Sequence, residues 1–132
     1  MDSLRNIGAL LGRIMLAYIF VVSGTEKLLG AAATMNEMAH AGLPQSLVPG
    51  LFVLTIVVEL LGGLMLVVGW HADLAALIML LWFIPVTWIF HVQTGQTIEW
   101  EKNLAIMGGF LLLAVYGPGP IGAGSNDVRR TV

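Results

Sequence analysis

The sequence predicts an all-α integral membrane protein, a bundle of four transmembrane helices with a short surface helix between the first and the second. Hydrophobic residues make up 58% of the 132 residues. Charged residues make up only 11%, against about 25% in an average soluble domain. The mean hydropathy is +0.89. Because a small soluble domain leaves much of its surface in water, we expect lipid to surround so apolar a chain.

Four segments have the character of a membrane helix, which needs about 20 residues to cross a hydrocarbon core of about 30 Å. The first three are residues 7–29, 47–68 and 72–91. The first also has features of a cleaved signal peptide, but it is long and contains Arg13, so we interpret it as a retained helix. The apolar part of the fourth, 104–116, is too short to cross a bilayer. We therefore expect this helix to span 98–116, with Lys102 and Asn103 inside the membrane.

The connection between the first two helices contains a short surface helix, predicted at residues 34–40. Thr34 is its expected N-cap, with Glu37 completing a capping box. At the other end of the chain, residues 117–120 read Gly-Pro-Gly-Pro, which cannot continue a helix and so ends the fourth one. Residues 121–132 are polar and rich in glycine, and we expect them to form a flexible cytoplasmic tail.

Basic residues concentrate at one end of the predicted bundle, which indicates its orientation. Four of the six lie at the end that contains both termini, namely Arg5, Arg13, Arg129 and Arg130. We therefore predict that both termini are cytoplasmic. Arg13 supplies charge on the cytoplasmic side; we expect it to snorkel to lipid headgroups or, failing that, to form a structural ion pair. The net charge of −2 gives no basic surface for nucleic acid, and the absence of cysteine excludes disulfides.

Glu59 is the clearest sign of a function. It lies about nine residues from the end of the second helix, or about 14 Å along the helix axis. A glutamate side chain is too short to reach water from that depth, so it must be protonated, paired or beside a wet cavity. Lys27 is the expected partner, because its long stem can extend inward from the outer end of the first helix.

Polar residues from all four helices are predicted to meet in the outer half of the bundle: Lys27, Glu59, His91, Lys102 and Asn103. Three explanations are open, a polar network that locks the helices together, a pocket that handles a ligand or protons, and unrelated interfacial residues. Trp88 and Trp100 lie near helix ends and are candidates for stacking on the ring of a ligand. A lone histidine without other strong ligands predicts no metal site.

Four stretches of the chain resemble the DoxX family of small bacterial inner-membrane proteins: 13–28, 38–44, 59–69 and 102–120. The resemblance implies a four-helix bundle in the bacterial cytoplasmic (inner) membrane. The family takes its name from a subunit associated with quinone-linked oxidation of sulfur compounds. Other members are linked with membrane oxidoreductase assemblies and oxidative-stress responses. The polar positions of the family correspond here to Arg13, Lys27, Glu59, His91, Lys102 and Asn103.

The polar pocket and the resemblance together favour a membrane subunit of a redox system, either quinone-linked or related to oxidative stress. The pocket would hold a quinone or a lipid, with no covalently bound cofactor, and a redox partner protein would carry flavin or haem. A homo-oligomer is open, and so is whether the protein is an enzyme. One alternative is a non-catalytic scaffold or assembly factor. A small transporter is less favoured, because Lys27 would neutralise a cation site at Glu59.

Overall fold

The computed structural model describes residues 2–123, and within them the fold is entirely helical, as predicted. The helices are α1 (Asp2–Leu29), α2 (Ala31–His40), α3 (Val48–Val68), α4 (Ala72–Val92) and α5 (Thr97–Tyr116). The four long helices alternate in direction because short connections, 69–71 and 93–96, join α3 to α4 and α4 to α5. In the bundle α1 packs against α3, α3 against α4, and α4 against α5.

Three of the described helices, α1, α3 and α4, are long and apolar enough to cross a membrane. The remaining long helix, α5, has 20 residues but carries Glu99, Glu101 and Lys102 near its start. It packs along α4 and is compatible with the predicted fourth span. Large apolar side chains such as Met15 and Leu112 lie exposed on the outside of the bundle, as expected of a surface that faces lipid.

Helices α3 and α4 each contain a π-helical segment, Val57–Leu61 in α3 and Trp88–Val92 in α4. In a π-helix the backbone hydrogen bonds span five residues, which widens one turn and reorients its side chains. The first segment carries Glu59 and the second carries His91. Hydropathy cannot reveal such segments, because they change the local winding of a helix without changing its composition.

The core of the bundle is built from aromatic rings and small residues. The ring of Phe20 lies 5.1 Å from that of Phe83 and 5.2 Å from that of Phe110, measured between centroids. Glycines allow α1 and α3 to approach closely, as is common between membrane helices. At Gly24 of α1, a Cβ atom would lie 2.9 Å from the side chain of Leu60, and at Gly63 of α3 it would lie 2.7 Å from that of Val21.

The bundle has two ends, which we name after the basic residue of α1 nearest each. The Arg13 end holds the start of α1, the turn 69–71 and residues 117–123. The Lys27 end holds α2 and the loop 93–96. The backbone N–H of Ala123 donates to the Val68 carbonyl oxygen at 3.0 Å, so both limits of the described chain lie at the Arg13 end. This arrangement fits an even number of crossings; that this end is cytoplasmic stays a prediction.

Two helix starts differ from expectation. Helix α1 begins at Asp2, five residues before the predicted start, because its first turn is polar but still helical. Helix α2 begins at Ala31, and its N-cap is Gly30 with no side-chain cap. The predicted capping box is therefore wrong; the Thr34 hydroxyl instead donates to the Gly30 carbonyl oxygen at 3.1 Å. Of the predicted tail, residues 124–132 lie outside the described residues.

Candidate functional site

The structure contains the predicted ion pair between Lys27 and Glu59. The Lys27 Nζ atom lies 2.5 Å from Glu59 Oε1, and Glu59 is only 4% exposed. Gly24, one turn before Lys27, makes this approach possible, since a Cβ atom there would lie 3.3 Å from the Glu59 Cβ. The second carboxylate oxygen, Glu59 Oε2, is buried and has no hydrogen-bond partner within residues 2–123. One oxygen of this carboxylate is thus neutralised and the other is free to accept a hydrogen bond.

A cavity of about 160 Å³, here called the Glu59 cavity, lies beside this pair. All five polar residues predicted for the outer pocket line it: Lys27, Glu59, His91, Lys102 and Asn103. Its other lining residues are Ile19, Phe20, Ser23, Phe83, Val86 and Glu99. The structure therefore brings together side chains from α1, α3, α4 and α5 around one space with both charged and apolar walls.

Two residues of α5 at the site make polar contacts, one with α4 and one within α5 itself. The Asn103 side-chain amide donates to the Thr87 hydroxyl of α4 at 3.1 Å, and both residues are buried. The Lys102 ammonium instead pairs with Glu99 on its own helix at 2.6 Å, and both of these side chains are nearly half exposed. Asn103 thus links two helices at the cavity wall, whereas Lys102 lies at its open edge.

His91 is held by a residue that the sequence reading missed. The ring Nδ1 atom of His91 lies 3.0 Å from Gln96 Oε1, and the backbone N–H of Gln96 donates to the His91 carbonyl oxygen at 2.9 Å. The two residues face each other across the tight loop 93–96. No sequence signal pointed to this pair, because their contact depends on the π-helical end of α4.

A second cavity of about 280 Å³, here called the α2 cavity, lies at the same end. It is lined by Ser23, Lys27, Thr34, Glu37, Met38, Thr55, Val86, Phe90 and His91. Helix α2 covers it and buries Met38 against the bundle. Lys27 and His91 line both cavities, so a ligand in the Glu59 cavity would lie next to the space under α2.

The two tryptophans predicted as ring-stacking residues do not lie at either cavity. Trp88 is 57% exposed on the outside of α4, and Trp100 lies near the start of α5 without lining the site. Phe20 and Phe83 line the Glu59 cavity instead. A tryptophan at a helix end more often meets the lipid interface than the bundle interior, which explains the difference.

Arg13 corrects another expectation, because it is buried instead of snorkelling to headgroups and forms no ion pair within residues 2–123. It is 2% exposed, and its Nη1 atom donates to the Pro118 carbonyl oxygen at 2.7 Å. Its Nη2 atom donates to the Val67 carbonyl oxygen at 3.3 Å. The end of a helix leaves carbonyl groups without partners, and a guanidinium with several donors can satisfy more than one of them. Arg13 is therefore a packing residue of the opposite end.

Residues 2–123 contain no group of three or more His, Asp or Glu side chains placed to hold a metal ion. The side chains at the Lys27 end offer hydrogen bonding and proton exchange. The Glu59 cavity has ammonium and amide donors, the buried acceptor Glu59 Oε2 and the imidazole of His91, next to phenylalanine rings.

The DoxX family matches residues 8–92. This chain belongs to the DoxX family. A relative, inner membrane protein YqjF of Escherichia coli strain K12, is 34% identical over 122 residues, which cover 90% of this chain and 91% of that protein. Inner membrane protein YphA of the same organism is 29% identical over 125 residues, with 89% and 88% covered. No solved structure matches the chain. With its apolar helices, this DoxX chain is a multi-pass inner-membrane protein.

Proposed function

We propose that this DoxX-family protein is a membrane subunit of a redox system and that the Glu59 cavity binds the headgroup of a quinone. The observation that carries the proposal is the buried Glu59 Oε2 atom, which has no hydrogen-bond partner and lies beside a cavity. Leaving a buried acceptor unpaired is costly. A hydroxyl group of a bound quinol would supply the missing hydrogen bond.

The walls of the cavity suit an aromatic ring with polar oxygens. Phe20 and Phe83 provide apolar surface, whereas Lys27 and Asn103 provide donors. This combination of apolar lining and a few placed polar groups is typical of small-molecule sites. A cavity of about 150 Å³ is large enough to bind benzene, and the Glu59 cavity measures about 160 Å³. The α2 cavity next to it gives room for ring substituents.

The proposal assigns this chain the role of binding and orienting the quinone. The electron-carrying group, a flavin or a haem, would belong to a partner protein. Within this chain, Lys27 would donate to a carbonyl oxygen of the quinone. Glu59 would accept a proton from a quinol hydroxyl, since one of its oxygens is free.

The test is direct binding to purified protein in detergent under reducing conditions, with the quinol forms of a short-chain benzoquinone and a short-chain naphthoquinone as probes. We expect saturable binding of at least one probe. Glu59→Gln should weaken that binding about tenfold, which is about 1.4 kcal/mol. Glu101→Gln is the matched control, because Glu101 is exposed on α5 and lines neither cavity. Wild-type protein that binds neither probe saturably would refute the proposal.

A second candidate is a non-catalytic scaffold or assembly factor, favoured by the hydrogen bond between Asn103 and Thr87 that joins α4 to α5. Under this reading the polar residues only determine helix packing. Glu59→Gln would then lower stability, and no probe would bind. The transporter alternative fits less well, because the Lys27 ammonium already neutralises Glu59.

A further inference from the structure

We infer that Gln96 is a positioning residue that holds His91 in one tautomer, and that His91 thereby distinguishes a quinol from a quinone. Neutral His91 would accept a hydrogen bond from a quinol hydroxyl at Nε2, and protonated His91 would donate one to a quinone carbonyl oxygen. This inference rests on the proposed function. It adds Gln96 to the site and a preference for one redox form of the ligand.

The first step is the rigidity of the loop that carries the pair. Gln96 contacts His91 twice, through its side-chain oxygen and through its backbone N–H. The Thr94 hydroxyl donates to the Phe90 carbonyl oxygen at 2.7 Å and lies 3.3 Å from that of His91. The loop therefore hydrogen-bonds back onto the π-helical end of α4, which places the Gln96 side-chain oxygen against the His91 ring.

The second step is the tautomer. An amide oxygen can only accept a hydrogen bond, so the Nδ1 atom that meets Gln96 Oε1 carries the hydrogen. In the neutral ring, Nε2 is then the nitrogen with the free lone pair. His91 lines both cavities, and Nδ1 is occupied by Gln96, so Nε2 is the ring nitrogen left for a ligand.

The third step is the chemistry of the two ligands. Both oxygens of a quinone only accept hydrogen bonds, whereas the hydroxyl groups of a quinol also donate. Neutral His91 therefore matches the quinol, and only its protonated form offers Nε2–H to the quinone. Imidazole is the side chain that ordinarily changes charge between about pH 5 and 8. Binding of the quinone would take up one proton from solvent when His91 is neutral, and no electron is transferred in this step.

Other charged groups face His91 from every element packed around the cavities: Lys27 of α1, Glu37 of α2, Glu59 of α3, and Glu99 and Lys102 of α5. Four of them form two ion pairs, Lys27 with Glu59 and Lys102 with Glu99. The carboxylate of Glu37 is the remaining charge. Each of the other four charges already has an oppositely charged partner, so His91 is the group expected to dominate the pH dependence.

The first experiment measures the affinity of wild-type protein in lipid nanodiscs for decylubiquinone and for its reduced form between about pH 5 and 8. Once His91 is mostly neutral, quinone affinity should fall by about tenfold per pH unit, because binding takes up one proton. Quinol affinity should not fall. His91→Gln should remove the pH dependence, and Gln96→Ala should reduce the discrimination between the two probes.

His40→Gln is the matched control. The Nδ1 atom of His40 also has an oxygen partner, the Asn36 carbonyl at 2.7 Å, but His40 is exposed and lines neither cavity. This variant should keep the pH dependence of the wild-type protein. If His91→Gln keeps it as well while binding persists, the inference is overturned and the proposed function stands.

The second experiment reads the tautomer without a ligand, from the ¹⁵N NMR signals of the histidine rings at high pH, with His91→Gln identifying the signal. We expect Nδ1–H in the wild-type protein and a mixture of tautomers in Gln96→Ala. A wild-type ring with its hydrogen on Nε2 would overturn the inference. Absence of binding by both probes at every pH would instead overturn the proposed function, and with it the selectivity.

Discussion

Each end of the bundle buries one charged side chain, and the two side chains differ in their hydrogen-bond partners. At the Arg13 end, the guanidinium is 2% exposed and donates to two backbone carbonyl oxygens. At the Lys27 end, Glu59 is 4% exposed, with one oxygen paired and the other without a partner. Both side chains are almost fully buried, so the degree of burial does not distinguish a structural role from a ligand-binding role. Among residues 2–123 each side chain leaves one buried atom unpaired, the Nε donor of Arg13 and the Oε2 acceptor of Glu59. They differ in their surroundings, because Arg13 binds two backbone carbonyl oxygens beside an apolar groove, whereas Glu59 lies beside a cavity with charged and polar walls, which points to a ligand.

The spaces beside the two charges differ in the same way. Next to Arg13, a groove of about 470 Å³ between α1 and α5 is lined mainly by glycines and apolar side chains. Acyl chains of the bilayer can fill such a groove without any specific contact. The lining of the smaller Glu59 cavity includes four charged residues, His91 and Asn103. A space of that composition requires a polar occupant.

The largest effect is expected from Arg13→Met, which tests whether the Arg13 end is purely structural. The change removes two hydrogen bonds from a charged donor and should lower the free energy of unfolding by about 3 kcal/mol. Reversible unfolding in mixed detergent micelles measures this. Arg13→Lys should fall in between, since an ammonium cannot reach both carbonyl oxygens as a guanidinium does. Quinone binding by any folded fraction should be unchanged, and a specific loss of binding would contradict the division between the two ends.

The next effect concerns helix packing at the two ends. A Cβ atom at Gly24 would lie 2.9 Å from Leu60, whereas nothing lies within 4 Å of one at Gly12. Gly24→Ala should therefore cost about 2 kcal/mol through overpacking and loosen the contact of Lys27 with Glu59. Gly12→Ala is the matched control on the same helix and should be neutral. Equal unfolding free energies for the two variants would show that α1 and α3 do not approach as closely as described.

A smaller effect is expected from the hydrogen bond that links α4 to α5. A double-mutant cycle with Asn103→Leu and Thr87→Val isolates it, because the two residues contact each other directly. We expect a coupling free energy of about 0.6 kcal/mol, the usual size for side-chain hydrogen bonds between membrane helices. A coupling near zero would remove the specific observation that favours the scaffold alternative.

The smallest effect is expected from Lys102→Gln. The pair of Lys102 with Glu99 is largely solvated, and such pairs contribute little to stability and are screened by salt. The melting temperature in detergent should stay within error of the wild-type value at both low and high salt. A clear loss of stability at low salt would mean that Lys102 belongs to the buried network rather than to its edge.

Much of the fold was predictable because membrane helices are identified by apolar length. The helix bounds lie within one residue of the predicted segments except at the starts of α1 and α2, which begin five and three residues earlier than predicted. The pairing of Glu59 with Lys27 was predictable as well, since a short buried carboxylate needs a cation and few were in reach. Gln96 and the partners of Arg13 were not predictable, because they depend on which backbone and side-chain oxygens the bundle places beside each ring or guanidinium.

By itself the sequence determined an all-helical inner-membrane bundle of the DoxX family and the set of polar residues that enter it. The helices and their polar residues can be identified from composition and spacing, because a bilayer requires long apolar helices and a charged residue within one is rare and costly. Only the tertiary structure decided that Arg13 binds backbone carbonyls while Glu59 keeps an oxygen free. It also placed Phe20 and Phe83 at the cavity, and not the tryptophans. The reason is that the contacts of a side chain depend on how its helix is rotated about its axis and how it is locally wound. The hydropathy of the sequence determines neither.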